Sequence, residues 1–184
     1  MALSCHVSTA YIGMGANLGD REATLDDARA QLDATPGIEV RRHSSLYVTA
    51  AVGYSDQPDF LNAVAELETD LGPRQLLDCL HRIEQGLGRV RSFRDAPRTC
   101  DLDLLLFDRC VLEAPGITVP HPRMAERRFV LEPLAELDPL IVLPDGRAVA
   151  DLLAAVGEQK VVRYGASCRT SKNSKSTTPR PSSG

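Results

Sequence analysis

The fold is indicated most directly by residues 73–107, whose sequence is PRQLLDCLHRIEQGLGRVRSFRDAPRTCDLDLLLF. Pro73 suits the first turn of a helix, and the aliphatic residues after it recur at helical spacing up to Gly88, which is typical of a helix end. An arginine-rich loop follows, and residues 101–107 then form an apolar run of strand length. We therefore predict a helix, a loop and a buried strand in this order.

The predicted strand begins with two aspartates, Asp101 and Asp103, separated by one residue. Residues two apart on a strand point to the same face, with Cα atoms about 6.6 Å apart. The same alternation assigns the rest of the strand, with Leu105 and Phe107 on the acidic face and Leu102, Leu104 and Leu106 on the opposite face. We therefore expect a pair of carboxylates at the entrance of a buried strand.

This carboxylate pair, together with the loop before it, indicates phosphate chemistry. Two carboxylates on one face repel each other unless cations compensate their charge, and oxygen ligands favour Mg²⁺. The guanidinium groups of the loop match the oxygens of a polyphosphate, and they belong to Arg89, Arg91, Arg94 and Arg98. A solvated strand end beside an ordinary charge run is the alternative interpretation.

The order of elements along the chain predicts the fold class. Hydrophobic periodicity and turn residues indicate a strand at 10–14, a helix at 21–32, a long strand at 38–48, a loop at 49–59 and a strand at 60–69, ahead of the helix and strand described above. The resulting β-α-β-β-α-β order is that of an α+β, ferredoxin-like split βαβ sandwich. In this fold two helices cover one face of an antiparallel sheet, and we expect the other face to be free for binding.

The C-terminal additions to this fold follow a Pro-His-Pro turn at 120–122. Periodicity and turn residues predict a helix near 127–137, a strand at 140–143 and a helix at 149–156.

Composition predicts one domain over residues 1–162 and a tail over residues 163–184. A chain of 184 residues with 43% hydrophobic content can bury a sizeable core. The last 22 residues are rich in Ser, Thr, Lys and Pro and carry five basic side chains and no acid, so we expect a disordered basic tail. Since the formal charge of the whole chain is −4, the domain itself is more acidic, which argues against nucleic-acid binding.

The location is predicted from what the sequence lacks. No stretch is long and apolar enough for a membrane span, and residues 1–9 lack a basic region followed by an apolar run. Five cysteines without paired metal-ligand spacing are typical of a reduced compartment. We expect a cytoplasmic protein that binds no membrane.

The chain resembles the 6-hydroxymethyl-7,8-dihydropterin pyrophosphokinase family of folate biosynthesis over residues 11–156. The motifs that carry the resemblance are GMGANLGD at 13–20, DQPDFLNA at 56–63, GRVR at 88–91, PRTCDLD at 97–103 and VPH at 119–121. The resemblance implies a single pyrophosphokinase domain. It also implies transfer of the β,γ-diphosphate of ATP to the pterin hydroxymethyl group, with AMP as the other product.

The resemblance also implies residues for the phosphates and metals. Asp101 and Asp103 would bind two Mg²⁺ ions, and the arginines that contact the phosphates would be Arg89, Arg98 and Arg127. These five residues are the candidate catalytic set. Three further residues would contact or lie near the nucleotide, namely His121, Glu84 and Thr118. A structural role in the proline-flanked turn is the alternative for the histidine.

The pterin site implied by the resemblance combines aromatic side chains with an amide. Phe60 and Phe129 would stack on the two faces of the pterin ring, although both are also ordinary core residues. Asn62 lies two residues after Phe60 on the same predicted strand face, so its amide can reach the pterin edge. Thr49 and Val52 would contribute backbone atoms from a loop.

Two other classes remain open from the residues alone. A different ferredoxin-like nucleotidyltransferase would use the same aspartate pair but transfer a nucleotide monophosphate. A non-catalytic small-molecule-binding domain would leave the paired aspartates unexplained.

The expected partners are ATP and a hydroxymethyldihydropterin, and we expect a monomer.

Overall fold

The structure, a computed structural model, describes residues 7–50, 58–88 and 99–165. The first part of the chain forms β1 (Ser8–Ala16), α1 (Arg21–Asp33), β2 (Ile38–His43), β3 (Tyr47–Thr49), β4 (Phe60–Thr69), α2 (Pro73–Gly86) and β5 (Asp101–Phe107). The second part adds β6 (Leu112–Ala114), β7 (Ile117–Val119), a 3₁₀ helix (Met124–Glu126), α3 (Arg128–Leu137), α4 (Val149–Ala155) and β8 (Val161–Arg163). The predicted β-α-β-β-α-β order is confirmed, with β2 and β3 as two halves of the second strand.

The main sheet is antiparallel and has the strand order β5-β1-β4-β3-β8, with β2 also paired to β4. Strand β1 pairs with β4 along its whole length, from Ser8 opposite Thr69 to Ala16 opposite Leu61. The last strand of the split βαβ unit, β5, pairs with the other side of β1. This order confirms the predicted ferredoxin-like α+β fold.

Helices α1 and α2 cover the first face of the sheet, and local hydrogen bonds fix where each begins. Asp20 Oδ1 accepts the N–H of Ala23 at 3.1 Å, and Gln75 Oε1 accepts the N–H of Gly72 at 2.9 Å, just before Pro73. The core between the helices and this face includes Ile12, Met14, Leu25, Leu32, Leu76 and Leu80. Each fully buried leucine contributes about 1.5–3 kcal/mol, so this layer holds the two helices on the sheet.

The second face of the sheet is only partly free, because α3, α4 and the 3₁₀ helix cover one end of it. Val64 of β4 and Leu105 of β5 pack there against Val130, Leu131 and Leu134 of α3. The expectation of a free second face is therefore wrong at this end. Toward the start of β4 and β5, the second face lies outside this apolar cluster of described residues, and the expectation stays a prediction there.

Strand β5 departs from the predicted alternation because it contains a β-bulge. Two neighbouring residues of β1 pair with Leu104 and Leu106, which leaves Leu105 as an extra residue. Leu106 therefore packs on the second face with Leu105, and Phe107 packs in the core of the first face. The predicted faces of Leu106 and Phe107 are wrong, whereas Asp101 and Asp103 precede the bulge and share one face.

The long strand predicted at 38–48 is interrupted by residues 44–46, and both halves pair with β4. The N–H of Ser44 donates to the carbonyl of Val64 at 2.9 Å, and Ser44 Oγ accepts the N–H of Val64 at 3.0 Å. At this break, the Ser44 hydroxyl takes the place of a backbone carbonyl as the acceptor for the Val64 N–H. Thr49 belongs to β3, so its predicted position in a loop is wrong.

Two C-terminal predictions also need correction. Residues 140–143 form no strand in the described chain but only an isolated bridge between Val142 and Ala148, and Leu140 is 84% exposed. Arg163 lies in β8, which pairs with β3, so the fold extends past the predicted boundary at 162. Residues 166–184 of the expected tail lie outside the described residues.

Among the helices of the described ranges, none has the length and apolar character needed to cross a membrane.

Candidate active site

The candidate site lies on the second sheet face, where β5 begins beside β1 and β4. Asp101 lies opposite Gly15, and Gly15 lies opposite Asn62 on the other side of β1. Directly opposed residues of antiparallel strands place their side chains on the same face. The aspartate and the amide therefore face the same space, about 10 Å apart at two strand spacings.

Gly15 forms a floor without a side chain between Asp101 and Asn62, and Gly13 lies next to it under the Leu105 side chain. A Cβ atom on Gly15 would lie 3.2 Å from Asn62 Oδ1, and one on Gly13 would lie 3.3 Å from Leu105 Cδ2. Both distances are tighter than ordinary van der Waals contact. The sequence prediction missed this floor, although glycines two apart inside a strand indicate a face where another group approaches closely.

Asp103 lies beside Arg127, the residue at the N-terminal end of α3. Arg127 Nη1 is 3.8 Å from Asp103 Oδ2, and the guanidinium carbon lies 5.5 Å from the centre of the Phe129 ring. Since both charged side chains are partly exposed, the pair contributes little to stability. Its importance is positional, because it brings three of the predicted site residues together.

His121 is held against β5 by its own backbone. The N–H of His121 donates to the carbonyl of Leu105 at 2.9 Å, and the ring Nδ1 accepts the N–H of Arg123 at 3.2 Å. Burial lowers the pKa of His121 below its ordinary value, and although Asp103 opposes this shift, Arg127 adds to it. Because Nδ1 accepts the Arg123 N–H, the neutral form of the imidazole carries its proton on Nε2.

Glu84 approaches the site from the α2 side. It is 2% exposed, and its Oε1 accepts the N–H of Leu102 at 2.8 Å. Leu102 lies between the two aspartates on the edge strand of the sheet. The structure contains the hydrogen bond from the Leu102 N–H to Glu84. A contact of Glu84 with the nucleotide stays a prediction.

The wall opposite the aspartates is made by β3 and β4. Asn62 Nδ2 donates to Thr49 Oγ1 at 2.8 Å, and both residues are 7% exposed. Phe60 lies opposite Thr49 and is half-buried, on the same face as Asn62. Phe129 packs at the edge of the second apolar cluster, so both predicted stacking residues adjoin this face.

The remaining predicted residues are not joined to this group by described contacts. Thr118 is exposed on β7, in the β6–β7 hairpin that precedes His121, and it pairs with Glu113. Val52, Arg89 and Arg98 lie outside the described residues. Their positions therefore stay predictions.

The donor set of the site fits a hard cation that shares its ligands with a substrate. In residues 7–50, 58–88 and 99–165, no group of three or more His, Cys, Asp or Glu side chains is placed to hold a metal ion by itself. Mg²⁺ usually binds one or two carboxylates plus substrate phosphates, so the aspartate pair suffices as the protein's share.

Two strand aspartates beside an arginine, facing an amide and an aromatic ring, are typical of an enzyme that transfers phosphoryl groups. Residues 11–139 match the family model described as 7,8-dihydro-6-hydroxymethylpterin-pyrophosphokinase (HPPK). The match spans most of the chain, and the chain belongs to this family. It is a diphosphotransferase of folate biosynthesis that transfers diphosphate from ATP to the hydroxymethyl group of the pterin.

Two curated bacterial relatives carry the name of this activity. The 2-amino-4-hydroxy-6-hydroxymethyldihydropteridine pyrophosphokinase of Bacillus subtilis is 51% identical over 128 residues, which are 70% of this chain and 77% of that protein. The enzyme of the same name from Pseudomonas aeruginosa is 44% identical over 149 residues, which are 81% of this chain and 92% of that protein.

Solved structures support the fold independently. The wild-type HPPK-DHPS of Plasmodium falciparum, solved with pterin and p-hydroxybenzoate, superposes with a TM-score of 0.62 at 13% identity. The aligned region covers 84% of this chain and 42% of that one, so this chain spans less than half of the longer protein. At this identity the likeness shows the fold alone.

Proposed function

We propose that the second sheet face around Gly15 is the active site, with Asp101 and Asp103 binding two Mg²⁺ ions and Asn62 binding the pterin. The observation that carries this proposal is the strand register, because Gly15 lies opposite Asp101 on one side and Asn62 on the other. A polyphosphate near the aspartates and a pterin at the amide meet over the glycine floor. This arrangement would let the hydroxymethyl group of the pterin approach the phosphates along the sheet.

The aspartates would hold the metal ions on one face of β5. Bound Mg²⁺ supplies charge stabilisation for the attacking and leaving oxygens in phosphoryl transfer. Asp101 and Asp103 precede the β-bulge, so their backbones lie in the regular part of the ladder with β1. The N–H of Leu102, the residue between them, donates to Glu84 Oε1, and this hydrogen bond supports a fixed spacing of the two carboxylates.

Arg127 and His121 would act on the phosphate oxygens. Arg127 stays charged at every working pH and lies next to Asp103, so it can neutralise the diphosphate as it moves from ATP to the pterin. Since Nδ1 of His121 accepts the Arg123 N–H, the ring can donate its Nε2–H to a phosphate oxygen.

Asn62 would recognise the edge of the pterin. Its Nδ2 is bound to Thr49 Oγ1, which fixes the amide so that Oδ1 lies on the side of Gly15. The carbonyl oxygen can then accept a hydrogen bond from a pterin N–H. Phe60 and Phe129 complete the proposal as the two stacking faces.

Other parts of the proposal rest on the sequence alone. Arg89, Arg98 and the backbone of Val52 are predicted to contact the substrates, and Glu84 and Thr118 are predicted to lie near the nucleotide. The number of Mg²⁺ ions, the monomeric state and the cytoplasmic location also stay predictions.

The proposal is tested by mixing the purified protein with ATP, Mg²⁺ and 6-hydroxymethyl-7,8-dihydropterin and measuring AMP. Asp101→Asn and Asp103→Asn should each lower turnover on the order of 100-fold or more, because stabilisation of charge in the transition state is lost. Metal-free pterin binding should be unchanged in both variants. Asp27→Asn, on the exposed side of α1, is the matched control.

Near-normal turnover in both aspartate variants would contradict the metal assignment. Release of pyrophosphate instead of AMP would indicate transfer of a nucleotide monophosphate and would contradict the proposed geometry of the substrates.

A further inference from the structure

The segment between α4 and β8 contacts the chain next to Arg127 through the side chain of Gln159. Gln159 Nε2 donates to the carbonyl oxygen of Glu126 at 2.8 Å, and Gln159 Oε1 accepts the N–H of Arg128 at 3.0 Å. These two backbone groups flank Arg127 on either side. A single amide thus binds the chain immediately before and immediately after the arginine.

The local backbone explains why Arg127 needs this support. It is the N-cap of α3, with φ −115° and ψ 102°, and its own side chain makes no capping hydrogen bond. The first N–H groups of a helix have no partner within the helix, and the N–H of Arg128 is one of them. Gln159 supplies that partner from 31 residues further along the chain.

The segment that carries Gln159 is itself fixed at its C-terminal side by the sheet. Strand β8 pairs with β3, and the N–H of Tyr164 donates to the carbonyl of Leu46 at 2.7 Å. Arg163 Nη2 lies 3.2 Å from Glu136 Oε1 of α3. Gln159 is therefore anchored to the edge of the same sheet that carries the proposed site.

The orientation of the Arg127 side chain depends on this backbone. Its guanidinium lies 3.8 Å from Asp103 and 5.5 Å from the centre of the Phe129 ring, and both distances depend on the angle at which the chain enters α3. A small rotation at residue 127 moves the end of a long side chain by ångströms. Misplacement of this size at a reacting centre lowers rate strongly.

We propose that Gln159 is a positioning residue for diphosphate transfer, which acts by fixing the backbone on both sides of Arg127. The proposal rests on the proposed role of Arg127 at the transferring phosphates. A purely structural clamp would stabilise the fold but would leave the chemical step unchanged. The two roles are therefore separable by experiment.

The test compares Gln159→Leu with the wild type in a single-turnover assay, in which AMP is quantified after rapid quenching. Leucine is of similar size but forms neither hydrogen bond. The single-turnover rate should fall on the order of fivefold to tenfold, while the KM for ATP changes less than twofold, because the interaction acts in the transition state. Glu158→Gln, at the exposed neighbouring position, should keep the wild-type rate.

The decisive arm repeats the substitution in an Arg127→Ala background. If Gln159 acts through Arg127, Gln159→Leu should change the rate less than twofold there. An equal loss in both backgrounds, or no loss in the wild-type background, would overturn the proposal. Wild-type activity of Arg127→Ala alone would instead contradict the proposed role of Arg127.

A second variant, Gln159→Glu, keeps the acceptor for Arg128 but removes the donor to Glu126. It should show a smaller loss than Gln159→Leu, with melting temperatures of all variants measured alongside. If rate loss follows the fall in melting temperature in every variant, including the control, Gln159 is only a stabilising clamp.

Discussion

Glu84 Oε1 accepts the N–H of Leu102 at 2.8 Å, so a buried carboxylate on α2 holds the residue between the two aspartates of β5. In the part of the chain that the structure describes, β5 is the terminal strand of the sheet and pairs with β1 on one side. An edge N–H that is removed from water needs an acceptor, and here a side chain supplies it. The position of the acidic pair thus depends on a residue that contacts the strand from α2.

Glu84→Leu should lower the free energy of unfolding by about 1–3 kcal/mol, because the buried N–H of Leu102 loses its acceptor. Glu84→Gln keeps an oxygen at the same position and should lose clearly less. Urea denaturation monitored by circular dichroism measures both values. Equal losses for the two variants would show that the hydrogen bond to Leu102 is not what the side chain contributes.

Gly15→Ala should weaken pterin binding on the order of tenfold, because the new Cβ would lie 3.2 Å from Asn62 Oδ1 and push the amide out of place. Nucleotide affinity should change little. Gly86→Ala at the end of α2 is the matched control, since its Cβ would meet the nearest atom at 3.6 Å. Isothermal titration with each ligand provides the measurement, and unchanged pterin affinity would show that the glycine floor is not needed.

The sequence was sufficient for the order of the elements, because helix and strand periodicities differ and the turns contain Gly or Pro. It was not sufficient for the bulge at Leu105, because both faces of β5 are apolar there and a one-residue shift leaves no trace in the pattern. The apolar residues at 140–143 predict a strand but form only an isolated bridge. An apolar run shows hydrophobicity but not whether a neighbouring strand is available.

The candidate site was partly predictable because its charged residues are close in sequence or follow a motif. Asp101, Asp103 and Arg127 were expected, and the fold brings them together. Gly15 was missed as part of the floor because a glycine inside a strand indicates a close approach but not which group approaches. Gln159 was missed because its contacts join residues more than 30 positions apart, and only tertiary structure reveals such a pairing.

Phe60→Ala should weaken pterin binding by about 1–3 kcal/mol through lost stacking and burial, with nucleotide affinity nearly unchanged. Phe60 lies on the site face opposite Thr49, whereas Phe107 lies in the core under the other face. Phe107→Leu is therefore the control, and it should lower stability without selective loss of the pterin. Equal losses of both ligands in Phe60→Ala titrations would indicate a core role instead.

Glu136 of α3 joins the helix to β3 and β8. Its carboxylate accepts hydrogen bonds from the Ser45 N–H at 3.0 Å and the Tyr47 hydroxyl at 2.8 Å, and Arg163 lies 3.2 Å away. Burial alone would raise the pKa of Glu136, but the hydrogen bonds from Ser45 and Tyr47 and the charge of Arg163 outweigh it, so the pKa lies below 4.5. The same cluster raises the pKa of Tyr47 to about 12, chiefly by burial and then by its hydrogen bond to Glu136.

A carboxylate whose pKa is lower in the folded than in the unfolded state stabilises the fold above the unfolded value, and this stabilisation is lost as the pH falls through the folded value. Glu136→Gln should therefore lower the melting temperature at pH 7, and the difference from the wild type should shrink steadily as the pH falls below 4.5. Tyr47→Phe removes one hydrogen-bond donor to Glu136. In a Tyr47→Phe background, the pH-dependent effect of Glu136→Gln on the melting temperature should therefore be smaller but still present. Calorimetry between pH 7 and pH 3 measures both effects. A difference between wild type and Glu136→Gln that is constant over this range would mean that packing, and not the bound charge of Glu136, holds α3 to the sheet edge.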